Sequence, residues 1–201
     1  MPQLKDYVKR IVEKNSLSGI NLFSASILYT KLFGIDSNTL RLRKLVRAEL
    51  EKANNKEYSN FIGLLTFYYL EDYRNLLKLR KSLKVDNNKE VPCSMAAATA
   101  VIKKITGRST RIDEDKLKTF YRGSGGFVAL QKSLVSDLLS TAVALYALRF
   151  VDADMKEIKP DCINFIDGLY LNGGFRATNL DFDIDIEYTF YGLLALGAMV
   201  D

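Results

Sequence analysis

Gly125-Gly126-Phe127 and Gly173-Gly174-Phe175 decide the fold, because the chain repeats itself around these two segments at a spacing of 48 residues. Two further segment pairs share this spacing: Asp137-Leu-Leu-Ser-Thr141 with Asp185-Ile-Glu-Tyr-Thr189, and Leu145-Tyr-Ala-Leu148 with Leu193-Leu-Ala-Leu196. Self-similarity at a fixed period is the signature of a repeat protein. A weaker copy is predicted upstream, where Glu90-Val-Pro-Cys-Ser94 precedes an alanine-rich segment at a spacing of 47 from Asp137.

The chemistry of each copy predicts a helical hairpin. A Gly-Gly pair permits a sharp turn with positive φ. Asp137 and Asp185 stand where a helix N-cap needs a hydrogen-bond acceptor. Thr141 and Thr189 lie about one turn further on, where a hydroxyl can bond back to the preceding turn. The repeated residues therefore have a structural interpretation that requires no catalytic role.

Helical periodicity extends through the whole chain, and we predict an all-α fold in a single domain, residues 1–201. Roughly ten helices are expected, alternating between apolar and charged, with short loops and no strand signal. Apolar helices are predicted at about 22–33, 61–70, 91–105, 137–150 and 185–199. This alternation suggests inner helices shielded by outer ones.

The chain contains no histidine. Catalytic triads and the common zinc sites that need imidazole are therefore excluded. Cys93 and Cys162 are too few for a disulfide framework and are expected to be reduced. Without a signal peptide, or an apolar run of about 18 residues that could span a membrane, we expect a soluble, cytoplasmic protein.

Charge is unevenly distributed along the chain. The net charge is +5, with a net of −7 over residues 151–201 and +12 over the first 150. Part of the basic charge is predicted on the exposed side of a helix over about 36–53, at Arg41, Arg43, Lys44 and Arg47. No aromatic-interleaved basic motif accompanies this charge, so we expect solvated helix faces and no nucleic-acid partner.

The order of Gly-Gly-Phe, Asp-x-x-x-Thr and a small, apolar helix resembles the repeats of protein prenyltransferase β subunits and squalene–hopene-type cyclases. The resemblance is clearest over residues 90–201. Neither copy of the glycine motif in this chain has the glutamine that often precedes it in the family. It implies an α/α toroid, in which inner helices surround a cavity for an isoprenoid chain. About five hairpins are counted, whereas complete toroids of this family have six. The prediction therefore includes, as an alternative to a closed ring, an incomplete one. Such a ring would expose an apolar edge, and a protein partner or homo-oligomer would then be expected.

The resemblance also shows which family chemistry this chain lacks. The prenyltransferases carry a zinc-binding aspartate and cysteine at the first and third positions of one Asp-x-x-x-Thr motif, and a histidine at the fourth position of another. The cyclases carry a proton-donating aspartic acid at the fourth position. Here the third positions are Leu139 and Glu187, and the fourth positions are Ser140 and Tyr188. Neither the zinc site nor the proton donor is therefore expected.

The alternating acidic run Asp181-Phe-Asp183-Ile-Asp185-Ile-Glu187 supplies weak catalytic candidates, namely Asp183, Asp185 and Glu187. Crowded carboxylates could keep one proton at an elevated pKa or bind a divalent cation. The simpler interpretation, which we favour, is a solvated loop that leads into a helix N-terminus.

Three functions follow as expectations. The first is a non-catalytic relative of the family that binds an isoprenoid-like or other lipid-like ligand, or a protein partner. The second is an enzyme that uses an isoprenoid diphosphate, either a terpene cyclase or a zinc-independent prenyltransferase. The third is a purely structural subunit. No cofactor is expected, and Mg²⁺ only if a diphosphate is bound.

The candidate ligand-binding residues are those of the repeats and inner helices, with two arginines near the glycine turns that could hold a diphosphate: Cys93, Asp137, Ser140, Tyr146, Tyr188, Tyr191, Arg122 and Arg176.

Overall fold

A computed structural model describes residues 2–13, 17–52, 56–82, 91–105, 107–184 and 186–200. The all-α prediction is confirmed, with 66% of the chain in helix. The helices of the described residues are α1 (Pro2–Glu13), α2 (Gly19–Phe33), α3 (Ser37–Lys52), α4 (Lys56–Tyr69), α5 (Tyr73–Ser82), α6 (Cys93–Ile105), α7 (Arg111–Lys118), α8 (Leu138–Phe150), α9 (Lys159–Leu169) and α10 (Ile186–Met199). The strands are β1 (Tyr121–Arg122), β2 (Gly126–Phe127), β3 (Tyr170–Leu171) and β4 (Gly174–Phe175). The arrangement of the helices into a toroid stays a prediction.

The expectation of no strands was wrong at the two glycine turns. β1 pairs with β2 and β3 pairs with β4, each pair as an antiparallel ladder of two residues. Gly125 and Gly173 both have φ of +90°, a conformation that residues with a Cβ rarely adopt. This turn reverses the chain and brings two short extended segments into register. Strands of only two residues are too short to produce a period-2 pattern in the sequence, so the pattern did not predict them.

The first hairpin contains one more residue than the second. Tyr121 lies opposite Phe127, and Tyr170 lies opposite Phe175. The two tyrosines are therefore separated by 49 residues, whereas the two phenylalanines are separated by 48. The repeat spacing of 48 holds from the glycine turn onward and shifts by one residue upstream of it. Helix α7 ends at Lys118, three residues before the hairpin begins at Tyr121.

By its contacts the chain divides into two compact units, residues 1–84 and 85–201. In the first unit, α2 packs against α1, α3 and α4. The predicted basic face of α3 is only partly exposed. Arg41 donates a hydrogen bond to the carbonyl of Val12, and Arg43 donates through Nε to the carbonyl of Leu70 at 2.8 Å. Both arginines therefore hold neighbouring elements of the unit, since their guanidinium groups satisfy carbonyls at helix ends.

In the second unit, α8 packs against both α6 and α10. The apolar side of α8 is fully buried by these neighbours, as Leu138, Leu145 and Leu148 are each 0% exposed. Its composition, small and apolar on almost every side, is that of a helix surrounded by others. Among the helices that the structure describes, none is both long enough and apolar enough to cross a membrane.

Each of two apolar helices, α6 and α8, receives a hydrogen-bond acceptor from the loop of the next repeat. The backbone N–H of Cys93, at the start of α6, donates to the carbonyl of Ala129 at 2.9 Å. The N–H of Leu138, at the start of α8, donates to the carbonyl of Ala177 at 2.8 Å. The acceptors are 48 residues apart but the donors are 45 apart. By these hydrogen bonds the two helix starts align at a spacing of 45. The predicted spacing of 47 rests on Glu90, which lies outside the described residues, and stays a prediction.

Candidate functional site

Asp137 caps α8, as its position in the repeat predicts. Its Oδ1 accepts a hydrogen bond from the backbone N–H of Ser140 at 2.7 Å, which satisfies one of the free donors at the helix N-terminus. Burial raises the pKa of the Asp137 carboxyl, although backbone and side-chain hydrogen bonds from Ser140 and a backbone hydrogen bond from Ala129 oppose the shift. Burial is the largest of these effects, because a desolvated carboxyl disfavours its charged form. Asp185, the equivalent residue of the next repeat, lies outside the described residues.

Thr141 joins the glycine turn to the cap. Its hydroxyl donates to the carbonyl of Asp137 at 2.7 Å, as predicted, and accepts from the backbone N–H of Phe127 at 2.9 Å. The second bond recurs in the next repeat, where the N–H of Phe175 donates to Thr189 Oγ1 at 3.2 Å. One threonine thus fixes the distance between the turn and the helix that follows it, in both repeats.

A cavity of about 510 Å³ opens beside the N-terminal ends of α8 and α10. Its walls come from these two helices and from the two loops that follow β2 and β4. The lining residues are Ala129, Asp137, Leu139, Ser140, Ala177, Thr178, Asp181, Asp183 and Tyr188. The structure therefore brings together four of the residues predicted for the site, namely Asp137, Ser140, Asp183 and Tyr188.

The lining combines three carboxylates with a mostly small and apolar wall. Asp181 accepts a hydrogen bond through Oδ2 from the hydroxyl of Thr178 at 2.7 Å. Asp183 is exposed at the edge of the cavity. No lysine or arginine lines the cavity among the described residues, so the negative charge of these carboxylates is not balanced from within the wall.

Arg122 and Arg176 do not line the cavity. Arg122 donates to the carbonyls of Thr119, Tyr121, Gln131 and Ser133. Arg176 donates to the carbonyls of Gly168, at 2.7 Å, and Asp181, at 3.1 Å. Both guanidinium groups therefore stabilise the turns of their own repeats. Their predicted diphosphate-binding role stays a prediction that these contacts do not favour.

The remaining candidates lie away from the cavity. Cys93 is buried, and its thiol is 3.7 Å from the carbonyl oxygen of Ser140, behind the cavity wall. Burial also raises the pKa of this thiol. Tyr146 is half-buried and stacks on Phe150, with ring centroids 5.9 Å apart. Tyr191 is fully buried within the helix layer. Glu187 is half-buried in the first turn of α10 and does not line the cavity.

Five lining residues were not among the predicted site residues: Ala129, Leu139, Ala177, Thr178 and Asp181. Leu139 is the third residue of the first Asp-x-x-x-Thr motif. Ala129 and Ala177 carried a usable signal, because each stands two residues after a phenylalanine of the glycine motif, at the repeat spacing of 48. They are therefore a fourth element of the repeat. Asp181 carried a signal as the first residue of the acidic run that ends at Glu187. Thr178 has no such signal, since only the fold of its loop brings it to the cavity.

No group of three or more histidine, cysteine, aspartate or glutamate side chains is arranged to hold a metal ion within the part of the chain that the structure describes. Comparison with known proteins adds no assignment: no family model matches the chain, and no curated protein matches it significantly.

Proposed function

We propose that this protein is a non-catalytic binding module related in architecture to the α/α toroids, with its ligand site in the cavity beside α8 and α10. One observation carries the proposal. The positions of the Asp-x-x-x-Thr motif at which the resembled family places its chemistry line this cavity, but they carry Leu139, Ser140 and Tyr188. The repeat therefore presents a site at the family's position without the residues for zinc binding or proton donation.

An isoprenoid-like ligand suits the apolar part of the wall. The volume of about 510 Å³ falls in the range of roughly 300–1,000 Å³ that small-molecule sites occupy. Ala129, Leu139, Ala177 and the ring of Tyr188 offer apolar contact area, and the carboxylates and hydroxyls can orient a polar end. A protein partner, or a second copy of the chain, is the other occupant that the proposal includes.

A second candidate, an isoprenoid-using enzyme, has one observation in its favour. Because burial raises the pKa of Asp137, this carboxyl retains its proton to a higher pH than an ordinary aspartate, which is the property of a general acid. In that case Asp181 and Asp183 would supply the oxygen ligands that Mg²⁺ prefers, if a diphosphate were bound. We rank this candidate second because Arg122 and Arg176 are engaged by loop carbonyls.

The proposal places the protein in the cytoplasm. Cys93 and Cys162 are both free thiols, which agrees with a reducing compartment.

Native mass spectrometry tests the binding function. The full chain is mixed with farnesol, farnesyl diphosphate or geranylgeranyl diphosphate, and retained ligand is read as a mass shift. Ala177→Phe places a ring in the cavity and should abolish retention. Ala153→Phe is the matched control, since Ala153 is equally half-buried but lies in the loop after α8, outside the cavity. Retention by the control alone supports the proposal, and equal retention by both variants contradicts the assigned site.

Turnover and oligomeric state separate the candidates. Release of diphosphate from farnesyl diphosphate, lost in Asp137→Asn, would favour the enzyme over the binding module. A ligand-free dimer or larger assembly in the same spectra would favour the protein-partner form of the proposal.

A further inference from the structure

The cavity has an electrostatic character that narrows its ligand class. Asp137, Asp181 and Asp183 all line it. Three ion pairs of the described residues join Lys103 to Asp113, Lys104 to Asp152, and Lys118 to Glu114, and these three do not include a cavity carboxylate. A concave wall with one sign of charge concentrates ions of the opposite sign.

The arginine of the Asp181 loop is engaged by backbone carbonyls rather than by the carboxylates of this wall. Arg176 belongs to the loop that carries Asp181, but its guanidinium donates to the backbone carbonyl of Asp181 and to that of Gly168. These two bonds hold the loop in place, and the Asp181 carboxylate accepts its hydrogen bond from the Thr178 hydroxyl. The carboxylates of Asp181 and Asp183 outweigh the partial positive charge at the two helix N-termini, so the wall attracts a cation more than an anion.

The aromatic residue of the wall is suited to the same charge. Tyr188 lines the cavity together with the carboxylates, and the face of an aromatic ring attracts ammonium and guanidinium groups. Leu139 and the two alanines supply the apolar surface on which an uncharged part of the ligand can lie. The combination of acidic groups, one aromatic ring and a small apolar wall is that of an organic-cation site.

We infer that the cavity binds the ammonium end of an amine that has an apolar body, and that it rejects phosphates and diphosphates. This inference rests on the proposed binding function and specifies the ligand's polar end. The carboxylates of Asp181 and Asp183 face the ammonium group, and the apolar body contacts Leu139 and the alanines.

Isothermal titration calorimetry with three ligands of one carbon skeleton tests the inference on the full chain at pH 7. Geranylamine, geraniol and geranyl phosphate differ only in the charge of the polar end. Each part-exposed ion pair contributes modestly, so the amine should bind about ten-fold more tightly than the alcohol. The phosphate should show no binding.

Matched variants locate the effect. The double variant Asp181→Asn/Asp183→Asn should reduce the affinity for geranylamine about ten-fold and leave that for geraniol within about two-fold. Asp167→Asn is the control, because Asp167 is an exposed carboxylate on α9 outside the cavity. Circular dichroism verifies that each variant retains its helices.

Each outcome decides between the two proposals. If geraniol binds as tightly as geranylamine, or if the phosphate binds best, the amine inference is overturned and the binding function stands. If the amine binds but the double variant does not weaken it, the inference is overturned because the cation lies elsewhere. If none of the three ligands binds, the isoprenoid-ligand function fails, and the amine inference fails with it.

Discussion

Replacing Thr141 by valine removes a single hydroxyl from the junction between the first glycine turn and α8. Valine has the same shape as threonine, so the change deletes hydrogen bonds without creating a cavity. Two bonds are lost, one to the carbonyl of Asp137 and one from the N–H of Phe127. Both Thr141 and Phe127 are 0% exposed, so water cannot replace the missing acceptor.

The cost follows from these contacts. Leaving the buried Phe127 N–H without an acceptor costs about 1–3 kcal/mol, and the lost bond to Asp137 costs about 1 kcal/mol. Burial of the added methyl group returns about 0.8 kcal/mol. We therefore expect Thr141→Val to lower the free energy of unfolding by about 2 kcal/mol.

Two further threonines act as internal controls. Thr189→Val removes the equivalent bond, but that bond is longer, 3.2 Å, and its threonine is half-buried, so a cost of about 1 kcal/mol is expected. Thr99 only donates, to the carbonyl of Met95 within its own helix, and Thr99→Val should change stability by less than about 0.5 kcal/mol.

Urea unfolding followed by circular dichroism measures the three differences. Hydrogen exchange of peptides from residues 121–150 verifies that the loss lies in α8 and its turn. The reasoning is refuted if Thr141→Val is no more destabilising than Thr99→Val, or if the exchange of this region does not increase.

Three other predictions concern the turn, the cap and the thiols. In urea unfolding, Gly125→Ala should destabilise the protein by about 3 kcal/mol and Gly173→Ala by about 1–2 kcal/mol. Both glycines have φ of +90°, but only at Gly125 would a Cβ lie 2.2 Å from a backbone oxygen of α9. Equal costs for the two variants would contradict this reasoning. The pKa of Asp137 is raised in the folded state, so its contribution to stability is greatest below its unfolded pKa and is lost as pH rises through the folded pKa. Asp137→Asn keeps a cap acceptor and should remove this pH dependence from unfolding curves measured between pH 3 and 7. Asp137→Ala should lower the free energy of unfolding by about 1 kcal/mol throughout that range. Burial raises the pKa of Cys162 to about 12 and that of Cys93 well above its usual value. Neither thiol should therefore react with a disulfide reagent at pH 7 until the chain is unfolded in urea. Rapid labelling of the native protein would contradict the burial of the two thiols.

The parts of the fold that local chemistry determines could be predicted from the sequence. Asp137 caps α8 because its side chain and the helix N–H groups are near each other in the chain. Gly34 ends α2 with φ of +78°, as the glycine after a periodic apolar run predicts. In both cases the interacting groups are separated by only a few residues, so the pattern contains the whole interaction.

Interactions that join distant segments were not predictable in the same way. The bond from the Phe127 N–H to Thr141 needs the glycine turn to bring residues 14 positions apart together. Arg122 and Arg176 have the charge and position expected of residues that bind an anion. The loops fold so that their guanidinium groups instead donate hydrogen bonds to backbone carbonyls. The cavity was predicted where the repeat motif supplies the wall, at Asp137, Ser140 and Tyr188, and at Asp183 in the acidic run. Thr178 enters it only through the course of its loop.

The carbonyls of Ala129 and Ala177 accept hydrogen bonds at the N-termini of α6 and α8. The sequence repeat and the folding unit are therefore out of phase. A helix of one copy is finished only after the loop of the next has folded, so neighbouring copies should melt together rather than one by one. Anyone wishing to transplant or duplicate a module of this protein should cut it after the loop that carries the alanine, not at the edge of the helix, because a module cut at the helix edge would leave its own first N–H groups exposed to solvent.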